Sequence, residues 1–511
     1  MAFLLGLDIG TTNTKAVVYN TALGKIVEII TQPTPIKYPK LGWREHDPEE
    51  LWNTVKKCIS HCAKNYAISG LSISSMAEAG LPLGSNGEPL YPIIAWHDQR
   101  CMQEVGWLEN QIDMSEMHKI TGQRINPSFS ANKILWLKNN NPDIFNGIWK
   151  WLSVPDYVFY KLTGEIVTDY SIASRTLLFD QQSLSWSEKI LDNITLNKKN
   201  LPETLSGGSF IGVVKGKVAS SIGLKPDTKC VLGGHDHLCA TIAAGNVNVG
   251  DVCDSSGSSE AVLTVVNQFH TSSYMAQHGY ACYAHVIGGY YVIKAGMKSS
   301  GSAIDWLIRN ILFETKYDDE FVNQKLHLAE KSIGQRIGPL WLPHWLGGGS
   351  PDSDRFSRAA LIGIRLEHQP EDILRGMFES LAFWLKQNIC ELEKMTGINM
   401  SAPVLLGGTT KYELLSRIKA NVLGVPVHVP KLEETAALGA ALIAGIGSGE
   451  FNDIDEAIAS VKCEFVNYEP ETELNNFYDN IYESIYCDLY RSLEYINQKI
   501  SMFTIENKLN Y

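Results

Sequence analysis

Twice in this chain an apolar strand runs into an acid and then a turn of glycine and hydroxyl side chains, and a second apolar strand follows at once. The first copy is Leu4-Leu5-Gly6-Leu7-Asp8-Ile9-Gly10-Thr11-Thr12-Asn13-Thr14-Lys15-Ala16-Val17-Val18-Tyr19. The second is Val252-Cys253-Asp254-Ser255-Ser256-Gly257-Ser258-Ser259-Glu260-Ala261-Val262-Leu263. Such turns offer pliable backbone and several donors, a chemistry suited to phosphate oxygens. A carboxylate beside them would repel a bare phosphate, so Asp8 makes sense next to a divalent cation. Polar hairpins on a sheet edge use the same residues, and Ser/Gly clusters are ordinarily loops, so the turns alone leave both readings open. Two copies half a chain apart suggest two related halves facing each other across a cleft, and 511 residues exceed one ordinary core. The halves divide near residues 245–250.

A net charge of -12 offers nothing to offset phosphate repulsion, so a nucleic-acid partner is not expected. Substrates that are neutral, or anions escorted by a cation, stay compatible. No run of about 18 apolar residues suggests a membrane span, and residues 1–5 carry no signal-peptide pattern. The ten cysteines show no CxxC pairing and are expected to be reduced, buried small hydrophobes. The expected location is the cytoplasm.

Strand and helix signals alternate through the first half. Residues 71–75 read as a strand, 96–111 begin a helical pattern and 131–139 look amphipathic. Residues 207–216 are turn-rich. Cys230-Val231-Leu232-Gly233-Gly234 reads as a buried strand entering a glycine loop, followed by a close-packed helix over 238–244. In the second half, helices are expected over 372–394, 412–423 and 435–449, the last ending at its glycines. Tyr478, Tyr482, Tyr486 and Tyr490 mark a packing stripe on a C-terminal helix. Neither a G-x-x-x-x-G-K-[ST] loop nor a protein-kinase glycine loop with its catalytic loop is present.

Further pieces follow in a set order: Gly42-Trp43-Arg44-Glu45-His46-Asp47-Pro48, Trp96-His97-Asp98-Gln99-Arg100, Gly233-Gly234-His235-Asp236-His237, Gly301-Ser302-Ala303-Ile304-Asp305-Trp306, Gly363-Ile364-Arg365, Gly407-Gly408-Thr409 and Glu434-Thr435-Ala436-Ala437-Leu438-Gly439. Together with the two hairpins they resemble the FGGY carbohydrate kinases, xylulokinase/gluconokinase-like branch, within the actin/Hsp70/sugar-kinase superfamily. The resemblance spans residues 3–492. It implies an α/β fold of two ribonuclease-H-like (actin-like ATPase) domains flanking a deep catalytic cleft. Residues 1–247 would carry the sugar site, the first phosphate hairpin and the catalytic acid, residues 248–495 the nucleotide, and 496–511 a C-terminal tail. The family's common homodimer is left open.

The resemblance also implies transfer of the γ-phosphoryl group of ATP to a sugar or polyol hydroxyl with Mg²⁺. Asp236 would be the base that takes the acceptor's proton, although its place before a helix reads equally as an N-cap. Asp8 would hold Mg²⁺ through water. Gly10, Thr11, Thr12 and Lys15 would approach the phosphates, with Lys15 reading equally as a solvated strand lysine. Ser256, Gly257 and Ser258 would close from the other lobe, and Gly301, Gly407, Gly408, Thr409 and Asn421 would line the nucleotide. A zinc assignment for His235 and His237 lacks a recognised ligand spacing.

Met76, Ala77 and Glu78 fill the family's sugar-contact position. Xylulokinases carry Gln-Met-His there and glycerol kinases Arg-Glu, so this chain departs from both. Glu78 would accept hydrogen bonds from the hydroxyls of a neutral polyhydroxy compound. Trp96, Asp98 and His235 complete the expected acceptor pocket, although Trp96 reads equally as a core anchor and Asp98 as half of an ion pair with Arg100. A ketopentose is the leading acceptor and a tetritol or pentitol the second. A non-catalytic sugar-binding regulator is the alternative of another class.

Overall fold

A computed structural model describes residues 2–312, 319–331, 333–334 and 337–506. The first sheet comprises β1 (Phe3–Ile9), β2 (Asn13–Asn20), β3 (Lys25–Pro33), β4 (Ile68–Ser75), β5 (Phe210–Val213) and β6 (Lys229–His235), in the order β5-β6-β4-β1-β2-β3. The second comprises β7 (Val252–Ser256), β8 (Glu260–Val266), β9 (Ala281–Ala284), β10 (Tyr291–Met297), β11 (Val404–Leu406), β12 (Val427–Pro430) and β13 (Phe465–Tyr468), in the order β9-β10-β8-β7-β11-β12-β13. Both are built alike. An antiparallel meander (β1, β2, β3; β7, β8, β10) is extended beside its first strand by two parallel strands (β4, β6; β11, β12). The central strands are near-continuous apolar runs because both of their faces are covered, and Leu4, Leu5, Leu7 and Ile9 are all fully buried. The two expected hairpins are therefore the equivalent first corners of two related sheets.

The helices that matter for the site are α1 (Ser130–Asn140), α2 (Tyr170–Ser174), α3 (Asp236–Ala243), α4 (Gly301–Asn310), α5 (Pro370–Thr396), α6 (Glu413–Leu423), α7 (Thr435–Ser448) and α8 (Cys487–Glu506). A four-stranded sheet (Glu45–His46, Ile93–Ile94, Gly80–Leu83, Lys150–Ser153) adds to the first half, its Leu81, Leu83, Ile93 and Leu152 sharing the core of the first sheet.

Helices α3 and α7 lie at the junction of the halves. One buried cluster joins Leu4 and Val17 of the first sheet, Leu238 of α3, Cys253 and Leu263 of the second sheet, and Leu438 and Leu442 of α7. Small residues permit this approach: a Cβ on Gly439 would lie 1.8 Å from the Cys239 carbonyl oxygen, and one on Gly6 1.8 Å from that of Ala437. Gly439→Ala is therefore expected to lower stability by about 1–3 kcal/mol or more by overpacking. Gly216→Ala, which meets nothing within 4 Å, should leave the thermal midpoint nearly unchanged in the same unfolding experiment.

The chain passes between the sheets at residues 244–251, the interval that holds the expected division, and α7, late in sequence, packs on the first sheet. Several expectations are corrected. The expected tail at 496–511 is still helix to Glu506, with Asn497 and Ser501 buried against Ser357 and Phe356; residues 507–511 lie outside the described residues. The helical pattern at 96–111 is helix only over Met102–Gln111, because Asp98 folds back to accept the Arg100 backbone N–H and holds the preceding residues in turns. The turn-rich 207–216 segment contains β5. The tyrosine stripe is broken by a π-turn at Tyr482–Tyr486, yet Tyr478, Tyr482 and Tyr486 all pack on Phe383 of α5. All ten cysteines are free, seven of them buried, with Cys487 exposed.

Candidate active site

The parallel strands of the first sheet end level with one another. Asp8 on β1 pairs with Ser74 on β4, and Ser74 with Gly234 on β6; Ile9, Ser75 and His235 form the next row. The chain then turns from β6 into α3, so Asp236 is the helix's first residue. Two carboxylates thus stand two strands apart, roughly 10 Å by strand spacing, at the carboxyl edge where open α/β sheets bind ligands. Asp8 feels the charge of Asp236. Burial and the Asp236 charge lift Asp8 to about 7, against the pull of Lys15 and of the Ser74 hydroxyl, which donates to Asp8 at 3.3 Å. Burial also raises Asp236, opposed by His237, whose backbone N–H donates to it at 2.7 Å. The Asp236 side chain remains 32% exposed. A carboxylate pushed toward neutrality beside a second acid and a hydroxyl calls for positive charge, and an all-oxygen donor set suits a hard divalent cation such as Mg²⁺.

Around Asp8, the Gly10 N–H closes the first turn on the Asn13 carbonyl, Thr12 is exposed, and the Thr11 hydroxyl accepts the Trp96 indole N–H at 2.7 Å. Trp96 is 40% exposed, so it is no core anchor; it ties the added sheet to the first hairpin. Lys15 is not open as expected. It is paired at 2.7 Å with Glu434, which precedes α7 in a left-handed conformation (φ 50°).

The second hairpin differs from the first. Its acid, Asp254, is fully buried against Lys419 of α6, which also holds Glu260 at 2.8 Å. The expected phosphate-facing hydroxyl of Ser256 instead turns inward to Glu260 and Ser300, at 3.2 and 3.0 Å. Backbone from three segments meets at this turn. The Gly301 N–H donates to the Gly257 carbonyl at 2.9 Å and the Thr409 hydroxyl to that of Ser256 at 3.2 Å. Gly407 has φ 96°, and a Cβ there would lie 2.3 Å from the Ser256 oxygen, so glycine is required. Ser258 and Gly408 are exposed. Asn421 is corrected: it is buried in α6, its side chain accepts the Glu471 N–H and its carbonyl binds Asn475, a docking role for the following helix.

On the acceptor side, Glu78 is buried and held by the Arg175 guanidinium, whose Nε donates at 2.8 Å and whose other arm reaches Gln123. Burial alone would raise the Glu78 carboxyl; Arg175 brings it below the usual carboxylate range. Glu78 is thus charge-paired through one of its oxygens, Oε1. Met76 and Ala77 are buried beside it, with the Met76 N–H on the Ile9 carbonyl. Asp98 stands in the ion pair weighed for it: it pairs with Arg100 through both oxygens at 2.8 Å, Arg100 reaches Glu45 at 2.8 Å, and its guanidinium lies 3.9 Å from the Trp43 ring centre. His235 is buried and lowered well below the ordinary imidazole range, mainly by burial and then by His237, Arg175 and Lys294, with Nε2 3.2 Å from Asp236. His235, Asp236 and His237 offer ligand atoms within 4.8 Å of one another.

Three cations were missed in the sequence: Arg175, Lys294 and Lys419. For Lys294 a signal existed, a lone lysine in the apolar strand Tyr291-Val292-Ile293-Lys294-Ala295. For Arg175 and Lys419 no local signal exists.

Residues 3–243 match the N-terminal domain and residues 255–448 the C-terminal domain of the FGGY family of carbohydrate kinases. The xylulose kinase of Staphylococcus xylosus is 26% identical over 459 residues, 89% of this chain and 93% of that protein. The solved gluconate kinase from Lactobacillus acidophilus has a TM-score of 0.89 at 26% identity, over 98% of this chain and 99% of that one. The glycerol kinase of Plasmodium falciparum, solved with ADP, has a TM-score of 0.84 at 25% identity, over 96% and 98%. No helix among the described residues is long and apolar enough to cross a membrane. This chain belongs to the FGGY family of carbohydrate kinases and is a sugar phosphotransferase of the two-domain, actin-like fold.

Proposed function

We propose that the chain transfers the γ-phosphoryl group of ATP to a hydroxyl of a small neutral sugar, a ketopentose in the first place. The observation that carries this reading is the placement of Asp8 and Asp236 at one edge of the first sheet. In this mechanism Asp236, its proton affinity raised by burial, accepts the acceptor's proton as the hydroxyl oxygen engages phosphorus. The His237 N–H fixes its orientation. Asp8 would hold Mg²⁺, which would supply positive charge against the phosphates. The hairpin turns at Gly10–Thr12 and Gly257–Ser258 bring backbone donors to the phosphate chain. The cleft limits water at the reacting centre.

The acceptor rests on weaker support. Relatives named for xylulose, gluconate and glycerol are comparably similar, while Ala77 takes the place of the glycerol-kinase arginine. A tetritol or pentitol kinase is the second reading. ADP release measured with ketopentoses, ketohexoses, tetritols, pentitols and glycerol tests the proposal. Turnover stimulated above all by a ketopentose is expected. Acceptor-independent turnover would make the chain an ATPase, and binding without turnover a regulator.

A further inference from the structure

Strand β6 carries Asp236 to the cleft, but its hydrogen-bond ladder toward β5 stops short of that residue. Register pairing with β5 ends at Val231, and the last backbone bonds on that side, among the described residues, join Leu232 to Gly208 and Ser209. Farther along, the His235 N–H donates instead to the Ser171 hydroxyl of α2 at 2.9 Å, a buried bond that spans 64 positions. Asp236 follows at once as the first residue of α3, and the N-cap, His235, gives that helix no side-chain capping bond among the described residues. The Ser171 hydroxyl therefore holds the turn that a strand partner or a capping side chain would ordinarily hold.

Ser171 is itself fixed. Asp169 accepts its N–H at 2.7 Å and that of Ile172 at 3.0 Å, and both Asp169 and Ser171 are buried. Helix α2 comes so near the turn that residue 234 must be glycine. A Cβ there would lie 2.7 Å from the Ser171 oxygen, 3.2 Å from an Asp169 oxygen and 2.4 Å from a Val286 methyl of the second half. The other end of α2 leads straight into Arg175, whose Nε donates to Glu78 at 2.8 Å and whose guanidinium stacks 5.2 Å from the Tyr283 ring. A single short helix thus carries, near its start, the bond that sets the backbone before Asp236 and, just past its end, the cation that holds Glu78. The base and the acceptor corner are kept in register through this helix as well as through the sheet.

We infer that Ser171 is the positioning residue of the base: buried behind the turn, it acts on phosphoryl transfer through the His235 backbone, holding the Asp236 carboxylate in line with the attacking hydroxyl. This rests on the phosphotransfer reading above, with Asp236 as its base. Displacing a reacting group by about 1 Å costs on the order of 10²-fold in rate, whereas losing a merely structural hydroxyl costs stability alone. The test measures steady-state and single-turnover ADP release for the full-length wild type, Ser171→Ala, Asp236→Asn and the double variant, on the acceptor that most stimulates the wild type, with thermal midpoints alongside. Ser171→Ala should lower kcat and the single-turnover rate about 10- to 100-fold and leave the acceptor and ATP KM within about threefold of wild type. In the Asp236→Asn background the same substitution should change the rate less than about twofold, because residues that act as a unit are not additive. Ser174→Ala removes another buried hydroxyl of α2, bonded to the Tyr170 carbonyl at 2.6 Å and to Gln181 at 3.2 Å, and should lower the thermal midpoint without lowering kcat. An unaltered kcat in Ser171→Ala, a loss confined to KM, a full additional loss in the double variant, or a matching kcat loss in Ser174→Ala would overturn the inference while leaving the kinase reading in place. Failure of every acceptor to stimulate ADP release from the wild type, or wild-type turnover in Asp236→Asn, would instead remove the reading on which it rests. If Ser171→Ala fails to fold, Ser171→Cys, close in size and a much weaker acceptor, is measured in its place, and an unaltered kcat there counts against the inference.

Discussion

Asp236→Asn should fold like the wild type and turn over at least about 10²-fold more slowly, the usual contribution of a positioned general base. The structural duty of this side chain is small. Its oxygen accepts the His237 N–H, which an asparagine oxygen accepts equally well, and a third of the side chain faces the cleft. Removing its charge also relieves Asp8, which the Asp236 carboxylate helps to lift toward about 7. The variant is therefore expected to match or exceed the wild-type thermal midpoint while losing acceptor-stimulated ADP release. That opposition separates a catalytic base from a helix cap, since losing a cap lowers stability by about 1 kcal/mol and leaves chemistry intact. Near-wild-type turnover in a folded Asp236→Asn enzyme would exclude Asp236 from the mechanism.

What sequence reasoning reached and missed follows one physical division. The hairpins, the glycine loop before Asp236 and the small-residue helix α7 were legible because their signals are local: apolar runs, turn residues and close packing declare themselves within a dozen positions. The electrostatic partners were not. Arg175 meets Glu78 across 97 positions, Lys419 meets Glu260 across 159, and Lys15 meets Glu434 across 419. Each pair forms only once segments far apart in the sequence have folded together. The two acids of the repeated hairpin show the consequence. Asp8 and Asp254 look equivalent in sequence, but a lysine on α6 neutralises Asp254 inside the second sheet, leaving only Asp8 to face the cleft. Likewise Asp98 and Asn421 carried plausible site chemistry until the fold gave Arg100 to one and the Glu471 backbone to the other.

Arg175→Met is expected to destabilise the protein by about 3–5 kcal/mol, because it strands the Glu78 carboxylate in a buried site without its counter-ion. Both side chains are close to 90% buried (11% and 10% exposed), so solvent screening offers little relief. The loss should be partly recovered in Arg175→Met combined with Glu78→Gln, since replacing both partners of a buried pair costs far less than removing one. Glu78 is held below the ordinary carboxylate range in the fold. Its stabilising contribution is therefore complete at neutral pH and fades only as pH falls through that lowered value, so wild type and Arg175→Met should converge in acid. Function reports on the same pair in a different way. Glu78→Gln should raise the acceptor KM far more than the ATP KM, because the corner borders Asp236 and lies away from the Gly407 loop. Denaturant unfolding of the three variants measures the stability cycle. A loss below about 1 kcal/mol in Arg175→Met, with no recovery in the double variant, would mean that water reaches the pair and screens it.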